Sequence, residues 1–550
     1  MRLIERRIGL LFAAFLLCFL VVVGRALWLQ GVQGSSLASQ AMSQQSETIT
    51  VPGLRGSLLD RRGNELAASE DAATIYATPY QVKNPPAAAK KLAKILDLDP
   101  ADVLADLTEE SGFSYIAQKI PLEQAARIKR LNLEGIGELP DSRRTYPQGE
   151  MAGQVIGSVG SENQGLTGLE MGEESALSGT DGERRIVTDA LGDPIKLETE
   201  KASEDGEDIQ LTLDPLIQEK TERALAEVGE TYTPKGATAI VVEPQSGQIL
   251  AMANWPPVEP DDLSSVSNED LMNRATGFNY EPGSTFKAFT VAAALQEKLV
   301  TPTSTFTLEP TIQVADRTIE ESHERGTENL SVGEILAHSS NVGAVTIGLK
   351  VGSEKFSRWI NRFGFGRPTG VQFPNEERGL VPELDEYSGS TMGNLPIGQG
   401  LSVTPMQMIA GYGAIANGGI LKRPQLIERI GEEEVPEPKG KRVIDADVAA
   451  EVREMLEGVL APGGTASEVS VPGYTLAGKT GTAQMVEDGV YSETKFVSSF
   501  IGFAPAQNPR LLAAVIVDQP QGEIYGGAVA APAFGQIAAY ALPYLGVAPE

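Results

Sequence analysis

The chain has 550 residues, a formal net charge of −29 and a sequence pI of about 4.6. This length provides for about two to four domains with sizeable cores, and the acidic surplus argues against a nucleic-acid partner. The single cysteine, Cys18, excludes an intrachain disulfide and a CxxC metal or redox motif.

The N-terminus is predicted to be a membrane anchor. Arg2, Arg6 and Arg7 precede an uncharged apolar run at residues 8–24, and Trp28 suits the membrane interface. No clear A-x-A site follows, so an uncleaved signal anchor is favoured over a cleaved signal peptide. The arginines place the N-terminus in the cytoplasm, and we expect one crossing with everything from about residue 31 outside.

The first extracytoplasmic region is predicted to span residues 31–205. Residues 48–51 predict a short strand, and the alanine and leucine spacing over residues 85–107 predicts a helix. Residues 201–208 are polar and acidic, which is typical of a domain boundary. The sequence therefore divides into a cytoplasmic stub with its anchor (1–30), a first domain (31–205) and a second domain (206–550).

Helices and strands alternate in the second domain. Residues 238–243 and 248–253 predict a hairpin, because the turn residues 244–247 separate two β-rich runs. Further elements are predicted as helices at 288–295, 406–416 and 533–542, and as strands at 497–503 and 511–518. This order predicts an α+β domain with a mainly antiparallel sheet.

Ser284 and Lys287 stand at the start of the charge-free helix, just after the break Pro282-Gly283. Because they are three residues apart, we expect them on one helix face. Burial would lower the pKa of Lys287, and a neutral lysine can take a proton from a serine. The alternative interpretation is a serine N-cap beside a lysine whose amine reaches solvent.

Two more short motifs follow in the same domain. Ser339-x-Asn341 follows a capping box at residues 331–334 and is predicted to lie at a corner between two helices. Lys479-Thr480-Gly481 lies in a β-rich stretch. The ordered triple SxxK, SxN and KTG is the motif set of penicillin-binding proteins and class A β-lactamases.

Two other patterns, one typical of a P-loop and one of a zinc site, are incomplete in this sequence. Residues 473–480 match the P-loop pattern GxxxxGK[ST], but strand and turn residues follow where a P-loop needs a helix. His323-Glu324 lacks the second histidine of HExxH, and the group Glu320, Glu321, His323 and Glu324 is interpreted as a solvated face and not as a metal site. His338 adjoins Ser339, and we expect it to pack at the helix end.

With these motifs the chain resembles the class B penicillin-binding proteins, monofunctional D,D-transpeptidases of peptidoglycan. Residues 55–64, 143–147 and 165–170 resemble the family's N-terminal pedestal motifs, and residues 398–400 with Thr404-Pro405 resemble its transpeptidase domain. The resemblance covers nearly the whole chain. It implies a dimerisation-type pedestal at 31–205 and a transpeptidase domain of the penicillin-binding and serine β-lactamase-like fold at 206–550.

The resemblance also implies a role for each site residue. Ser284 would attack the penultimate D-alanine of a donor stem peptide, Lys287 would take its proton, and Ser339 would relay a proton to the leaving D-alanine. Asn341 would hold Lys287 and the substrate amide, and Lys479 would supply positive charge to the site. Thr480 and Thr482, on either side of Gly481, would bind the terminal carboxylate of the substrate. The backbone N–H groups of Ser284 and Thr482 would form the oxyanion hole.

No cofactor and no metal are implied. The implied ligands are peptidoglycan stem peptides and β-lactams, and the implied partners are a SEDS-family (FtsW-like) glycan polymerase and other division proteins. Residues 280–287 and 526–532 resemble the septal (FtsI-type) branch, which we favour over elongation. A class A β-lactamase, a D,D-carboxypeptidase, a β-lactam sensor and a non-catalytic scaffold of the wall-synthesis complex are the alternatives.

Overall fold

The computed structural model describes residues 2–34, 36, 46–188, 194–487 and 489–550. They fall into two compact units. The first unit comprises Met1–Leu54, Glu70–Arg143 and Gly179–Gly206, and the second comprises Arg55–Ser69, Arg144–Ser178 and Glu207–Glu550. The second unit thus includes two segments of the predicted pedestal, and the domain boundaries at 30 and 205 stay predictions.

The described residues form the following elements. The helices are α1 Arg2–Gly31, α2 Pro85–Leu96, α3 Pro100–Leu107, α4 Leu122–Lys129, α5 Gly153–Ile156, α6 Gly168–Gly172, α7 Glu174–Leu177, α8 Pro215–Tyr232, α9 Arg274–Gly277, α10 Lys287–Gln296, α11 Val332–Ala337, α12 Asn341–Val351, α13 Ser353–Arg362, α14 Thr391–Asn394, α15 Pro405–Ala416, α16 Ala446–Glu457, α17 Gly526–Val529 and α18 Ala531–Tyr544. The strands are β1 Ser46–Val51, β2 Leu58–Leu59, β3 Glu65–Ala77, β4 Ser114–Pro121, β5 Ile136–Thr145, β6 Gly182–Thr188, β7 Pro194–Lys201, β8 Ile209–Leu211, β9 Gly236–Val242, β10 Ile249–Trp255, β11 Thr305–Leu308, β12 Thr311–Val314, β13 Arg317–Glu320, β14 Glu328–Ser331, β15 Ile420–Leu421, β16 Ile427–Ile430, β17 Glu433–Glu434, β18 Lys441–Arg442, β19 Ala477–Glu487, β20 Val490–Ala504 and β21 Leu511–Asp518.

Helix α1 corresponds to the predicted anchor. Within the described ranges it is the one helix whose length and composition would let it cross a membrane. Its 30 residues extend over about 45 Å, more than the roughly 30 Å hydrocarbon core of a bilayer. Large apolar side chains such as Phe12 and Phe15 are exposed along it, as lipid-facing residues would be.

The helix predicted over residues 85–107 is two helices. Asp97 adopts a left-handed conformation (φ 56°) and ends α2. Asp99 then caps α3 by accepting a hydrogen bond from the Ala101 amide at 2.7 Å, and Pro100 occupies the first helical position. The predicted helical structure of residues 85–107 is confirmed, and the capping aspartate and the proline divide it into two helices.

The second unit is built on a five-stranded sheet. Its strand order is β10-β9-β21-β20-β19, and every adjacent pair is antiparallel. Helices α8 and α18 pack on each other and on the sheet, and α15 also packs on β9, β20 and β21. The predicted hairpin, the two predicted strands and the α+β class are confirmed.

Helix α10 forms the centre of the core. Every residue from Lys287 to Leu295 is buried, because α12, α13 and α16 pack around it. Its small side chains, mostly alanine, allow these helices to approach closely, while Phe289 packs against the rings of Phe363, Phe365 and Tyr412. The predicted buried helix is therefore confirmed.

Three of the N-terminal motifs meet in a buried ion network, which we call the Glu170 cluster (Arg55, Arg144 and Glu170). The Glu170 carboxylate is fully buried and receives Arg55 Nε at 2.5 Å and Arg144 Nε at 2.7 Å. Arg144 Nη1 also donates to the Arg55 carbonyl at 3.2 Å. All three residues belong to the second unit, so the cluster links distant segments of one core.

Candidate active site

Ser284 lies on a 3-10 turn, Gly283–Phe286, and α10 begins only at Lys287. Residues three apart eclipse one another in a 3-10 helix, so Ser284 and Lys287 still share one side of the chain. The Tyr412 hydroxyl donates to the Thr285 carbonyl at 2.6 Å and fixes the turn from below. As the second residue of the turn, Ser284 has a backbone N–H that the turn itself leaves without an acceptor.

Two glycines allow neighbouring segments to pack closely against the serine turn. A Cβ on Gly398 would lie 2.2 Å from the Gly283 carbonyl oxygen. A Cβ on Gly481 would lie 2.3 Å from Ser499 Oγ and 3.0 Å from Thr285 Cγ2. The missing side chain of Gly481 therefore lets strand β19 approach the serine turn.

Lys287 is buried, 1% exposed, and its amine is held by oxygen atoms. Nζ donates to the Ser339 carbonyl at 2.6 Å, to Ser339 Oγ at 3.2 Å and to Asn341 Oδ1 at 2.7 Å. Burial lowers the pKa of Lys287 to about 7, while Glu321 opposes this decrease and Arg325 adds to it. The alternative of a lysine that reaches solvent is wrong.

Ser339 and Asn341 lie at the predicted corner between α11 and α12. Ser339 adopts a left-handed conformation, φ 60°, which turns the chain and brings both its oxygens to Lys287. Ser340 caps α12 by accepting from the Gly343 amide at 2.9 Å. His338 ends α11 and contacts the Gly463 carbonyl through Nδ1 at 3.2 Å, at the helix end where we expected it.

Lys479, Thr480 and Thr482 lie on β19, which continues unbroken as a strand to Glu487. Thr480 is followed directly by strand residues and not by the helix that a P-loop requires, so the P-loop is ruled out. Lys479 is fully buried, with Nζ 3.2 Å from the Thr480 carbonyl. Burial lowers the pKa of Lys479 well below its ordinary value, and the charge of Lys287 lowers it further.

These elements enclose a cleft of about 230 Å³. Five of the predicted residues line it: Ser284, Ser339, Asn341, Thr480 and Thr482. Lys287, Lys479 and Gly481 do not line the cleft. Gln399, from the family motif at residues 398–400, also lines it, together with wall residues that the motifs did not indicate, among them His323, Thr465 and Tyr525.

Thr465 is the clearest of the missed wall residues. Its Oγ1 lies 2.7 Å from Thr480 Oγ1, so the two hydroxyls share one hydrogen bond at the cleft wall. The pair Gly463-Gly464 before it indicates a turn, but no sequence spacing connects it with Thr480. The sequence therefore predicts the turn before Thr465 but not the contact of Thr465 with Thr480.

Glu321 was also missed, because its group was interpreted as a solvated face. That interpretation is wrong for Glu321, whose side chain is 7% exposed, while Glu320, His323 and Glu324 are exposed as expected. Within the part of the chain that the structure describes, no group of three or more His, Cys, Asp or Glu side chains could hold a metal ion.

Comparison with known families decides what this arrangement is. Residues 237–539 match the penicillin-binding protein transpeptidase domain, and residues 50–211 match the penicillin-binding protein dimerisation domain. The chain belongs to the class B penicillin-binding proteins. The fold and family expected from the sequence are thereby confirmed, and the dimerisation domain sets the chain apart from class A β-lactamases.

Similar proteins cover this penicillin-binding protein almost from end to end. Stage V sporulation protein D of Bacillus subtilis is 37% identical over 548 residues, which are 97% of this chain and 84% of the relative. Peptidoglycan D,D-transpeptidase FtsI of Escherichia coli is 32% identical, covering 100% of this chain and 93% of the relative. The crystal structure of penicillin-binding protein 3 from Mycobacterium tuberculosis complexed with ampicillin is 29% identical, with a TM-score of 0.73 over 91% of this chain and 97% of the other.

Proposed function

We propose that this class B penicillin-binding protein cross-links peptidoglycan stem peptides through an acyl-Ser284 intermediate. The observation that carries the proposal is the burial and hydrogen bonding of Lys287 beside the cleft serine. Lys287 is a buried lysine with a pKa lowered to about 7, it contacts Ser339 and Asn341, and it lies one 3-10 turn from the cleft serine. A base of this pKa is substantially neutral at physiological pH, where an ordinary lysine is protonated.

Acylation proceeds by attack of Ser284 Oγ on the carbonyl of the penultimate D-alanine. The peptide bond to the terminal D-alanine breaks, the serine proton moves to neutral Lys287, and a proton reaches the leaving amine through Ser339. The Ser284 N–H, which the 3-10 turn leaves free of an internal acceptor, and the Thr482 N–H stabilise the oxyanion. An acceptor amine then attacks the ester, forms the cross-link and restores the Ser284 hydroxyl.

The KTG strand binds the terminal carboxylate of the donor. Thr480 and Thr482 line the cleft, and Lys479 lies beside Thr480. An arriving carboxylate favours the ammonium form of Lys479, which burial disfavours. A β-lactam takes the same position and leaves an acyl-enzyme on Ser284.

The same proposal covers location and partners. Helix α1 crosses the membrane once with the N-terminus in the cytoplasm, residues 31–205 form the pedestal and residues 206–550 the catalytic domain outside. A SEDS-family (FtsW-like) glycan polymerase and other division proteins are the partners, and septal synthesis is the role. The relative named Stage V sporulation protein D supports a second candidate role in sporulation.

The test is covalent labelling of the full chain in detergent with a fluorescent penicillin. Ser284→Ala is the nucleophile variant, and Ser322→Ala is the matched control, because Ser322 lines the same cleft and lies outside the three motifs. We expect label on the parent and on Ser322→Ala, and none on Ser284→Ala. An unlabelled but folded parent, or a label that persists in Ser284→Ala, contradicts the proposal.

Cell depletion separates the two roles. Loss of a septal enzyme gives filaments without septa, whereas loss of a sporulation enzyme leaves growing cells dividing and impairs spore formation. The first outcome supports the septal role, and the second replaces it with the sporulation role.

A further inference from the structure

Glu321 directly follows strand β13, and its buried carboxylate binds the beginning of α12. Oε1 accepts from Ser340 Oγ at 2.7 Å and from the Val342 amide at 3.0 Å, and Oε2 accepts from the Asn341 amide at 2.8 Å. Backbone N–H groups at a helix N-terminus carry partial positive charge, so a carboxylate is favoured there. Glu321 thereby fixes the backbone of the SxN corner.

Arg325 is ion-paired with the same carboxylate. Its Nη2 is ion-paired with Glu321 and donates to Ser340 Oγ at 2.8 Å, and its Nη1 lies 3.3 Å from Glu328. The Arg325 side chain is 14% exposed, and its Nε is buried without a hydrogen-bond partner among the described residues. The positive charge of Arg325 is thus brought close to the site at an energetic cost.

Glu321 and Arg325 influence Lys287 in two ways, through hydrogen bonds and through their charges. Through the chain, Glu321 holds the Asn341 backbone, and Asn341 Oδ1 accepts from Lys287 Nζ at 2.7 Å. Through space, the charge of Glu321 favours protonated Lys287 and that of Arg325 disfavours it. The other charged group coupled to Lys287 is Lys479, on β19. Of the described α12 residues, only the neutral Asn341 is hydrogen-bonded to Lys287 Nζ.

We propose that Glu321 and Arg325 are a positioning pair that sets both the placement of Asn341 against Lys287 and the charge state of Lys287. The inference rests on the proposed function, in which neutral Lys287 is the base for Ser284. Neither residue lines the wall at Ser284, so the pair acts through Lys287 and the SxN corner.

The opposite charges of the pair give opposite predictions. The experiment measures the second-order rate of acylation by a penicillin against pH for the full chain in detergent, with Glu321→Gln, Arg325→Met and the double variant. The acid limb of the profile is the range in which the rate rises with pH as Lys287 loses its proton. Glu321→Gln, which removes the negative charge, should move this limb to lower pH, and Arg325→Met, which removes the positive charge, should move it to higher pH, each by about half a unit or more. The double variant should return close to the parent.

Glu328→Gln is the matched control, because it removes a carboxylate that also pairs with Arg325 but is half-exposed and does not bind α12. Its acid limb should stay in the parent position. Glu321→Asp keeps the charge and shortens the reach, so it should lower the plateau rate while leaving the limb in place. This variant keeps the inference testable if Glu321→Gln fails to fold.

Limbs that stay in place in both charge variants, or that move in the same direction, overturn the inference. A parent that is not acylated at Ser284 contradicts the proposed function instead. The two failures are therefore distinguishable.

Discussion

The second unit has two sites of buried charge, the Glu170 cluster and Lys287, and they differ in how the charge is compensated. In the Glu170 cluster two arginines converge on one carboxylate, and Glu174 lies 2.6 Å from Arg55. Around Lys287, the three hydrogen-bond acceptors are neutral oxygens, and Glu321, the carboxylate whose charge favours protonated Lys287, is itself paired with Arg325. The balanced charges of the Glu170 cluster stabilise one arrangement of the fold. Lys287, which is held by neutral oxygens, has a lowered pKa that suits a group acting as a base.

The largest expected effect comes from removing the uncompensated lysine. Lys287→Met should lower the rate of acylation by about 10²- to 10⁴-fold, because the general base is lost. The free energy of unfolding should change by less than about 2 kcal/mol, since removal of a costly buried amine offsets the loss of its three hydrogen bonds. Stopped-flow acylation and thermal unfolding measure the two effects on one preparation.

The contrast depends on both measurements. A Lys287→Met variant that reacts at the parent rate would remove Lys287 from the mechanism. A variant that unfolds well below the parent would show that the lysine holds the fold, and the two clusters would then be alike.

Breaking the balanced cluster should do the reverse. Glu170→Gln leaves Arg55 and Arg144 buried without their shared counter-charge, which costs about 3–5 kcal/mol of stability. The acylation rate per folded molecule should stay within about twofold of the parent, because the expected loss is in stability and not in chemistry. Denaturant unfolding followed by penicillin titration of the folded fraction checks both. Full stability in Glu170→Gln would contradict the structural role of the cluster.

The pH dependence of the parent distinguishes the clusters without a substitution. Acylation requires neutral Lys287, so the rate should rise about tenfold per unit up to a pH of about 7 and then level off. The folded-state pKa is lowered from 10.5, so the unfolded chain binds more protons between about 7 and 10.5 and the contribution of Lys287 to stability rises with pH in that window. A rate that is flat from pH 5 to 9 would exclude a titrating base.

Sequence and structure agree where local pattern decides the outcome. The three motifs, the buried helix and the hairpin were predictable, because each depends on spacing within a few residues. Glu321 was not predictable, since its burial comes from a turn after β13 that places it against the N-terminus of α12. The role of Gly481 as a close-approach residue was equally hidden, because it depends on Ser499 in the neighbouring strand β20.

The smallest effect should come from a neutral contact, where no charge changes in either cluster. Thr465→Val removes the hydroxyl that lies 2.7 Å from Thr480 Oγ1 and keeps the side-chain shape. Loss of one such hydrogen bond should lower the acylation rate roughly two- to tenfold without moving the acid limb of the pH profile. Thr465→Ser keeps the hydroxyl and should react like the parent. A shift of the limb in Thr465→Val would mean that the cleft wall also tunes Lys287, and the separation between charge tuning and substrate binding would then fail.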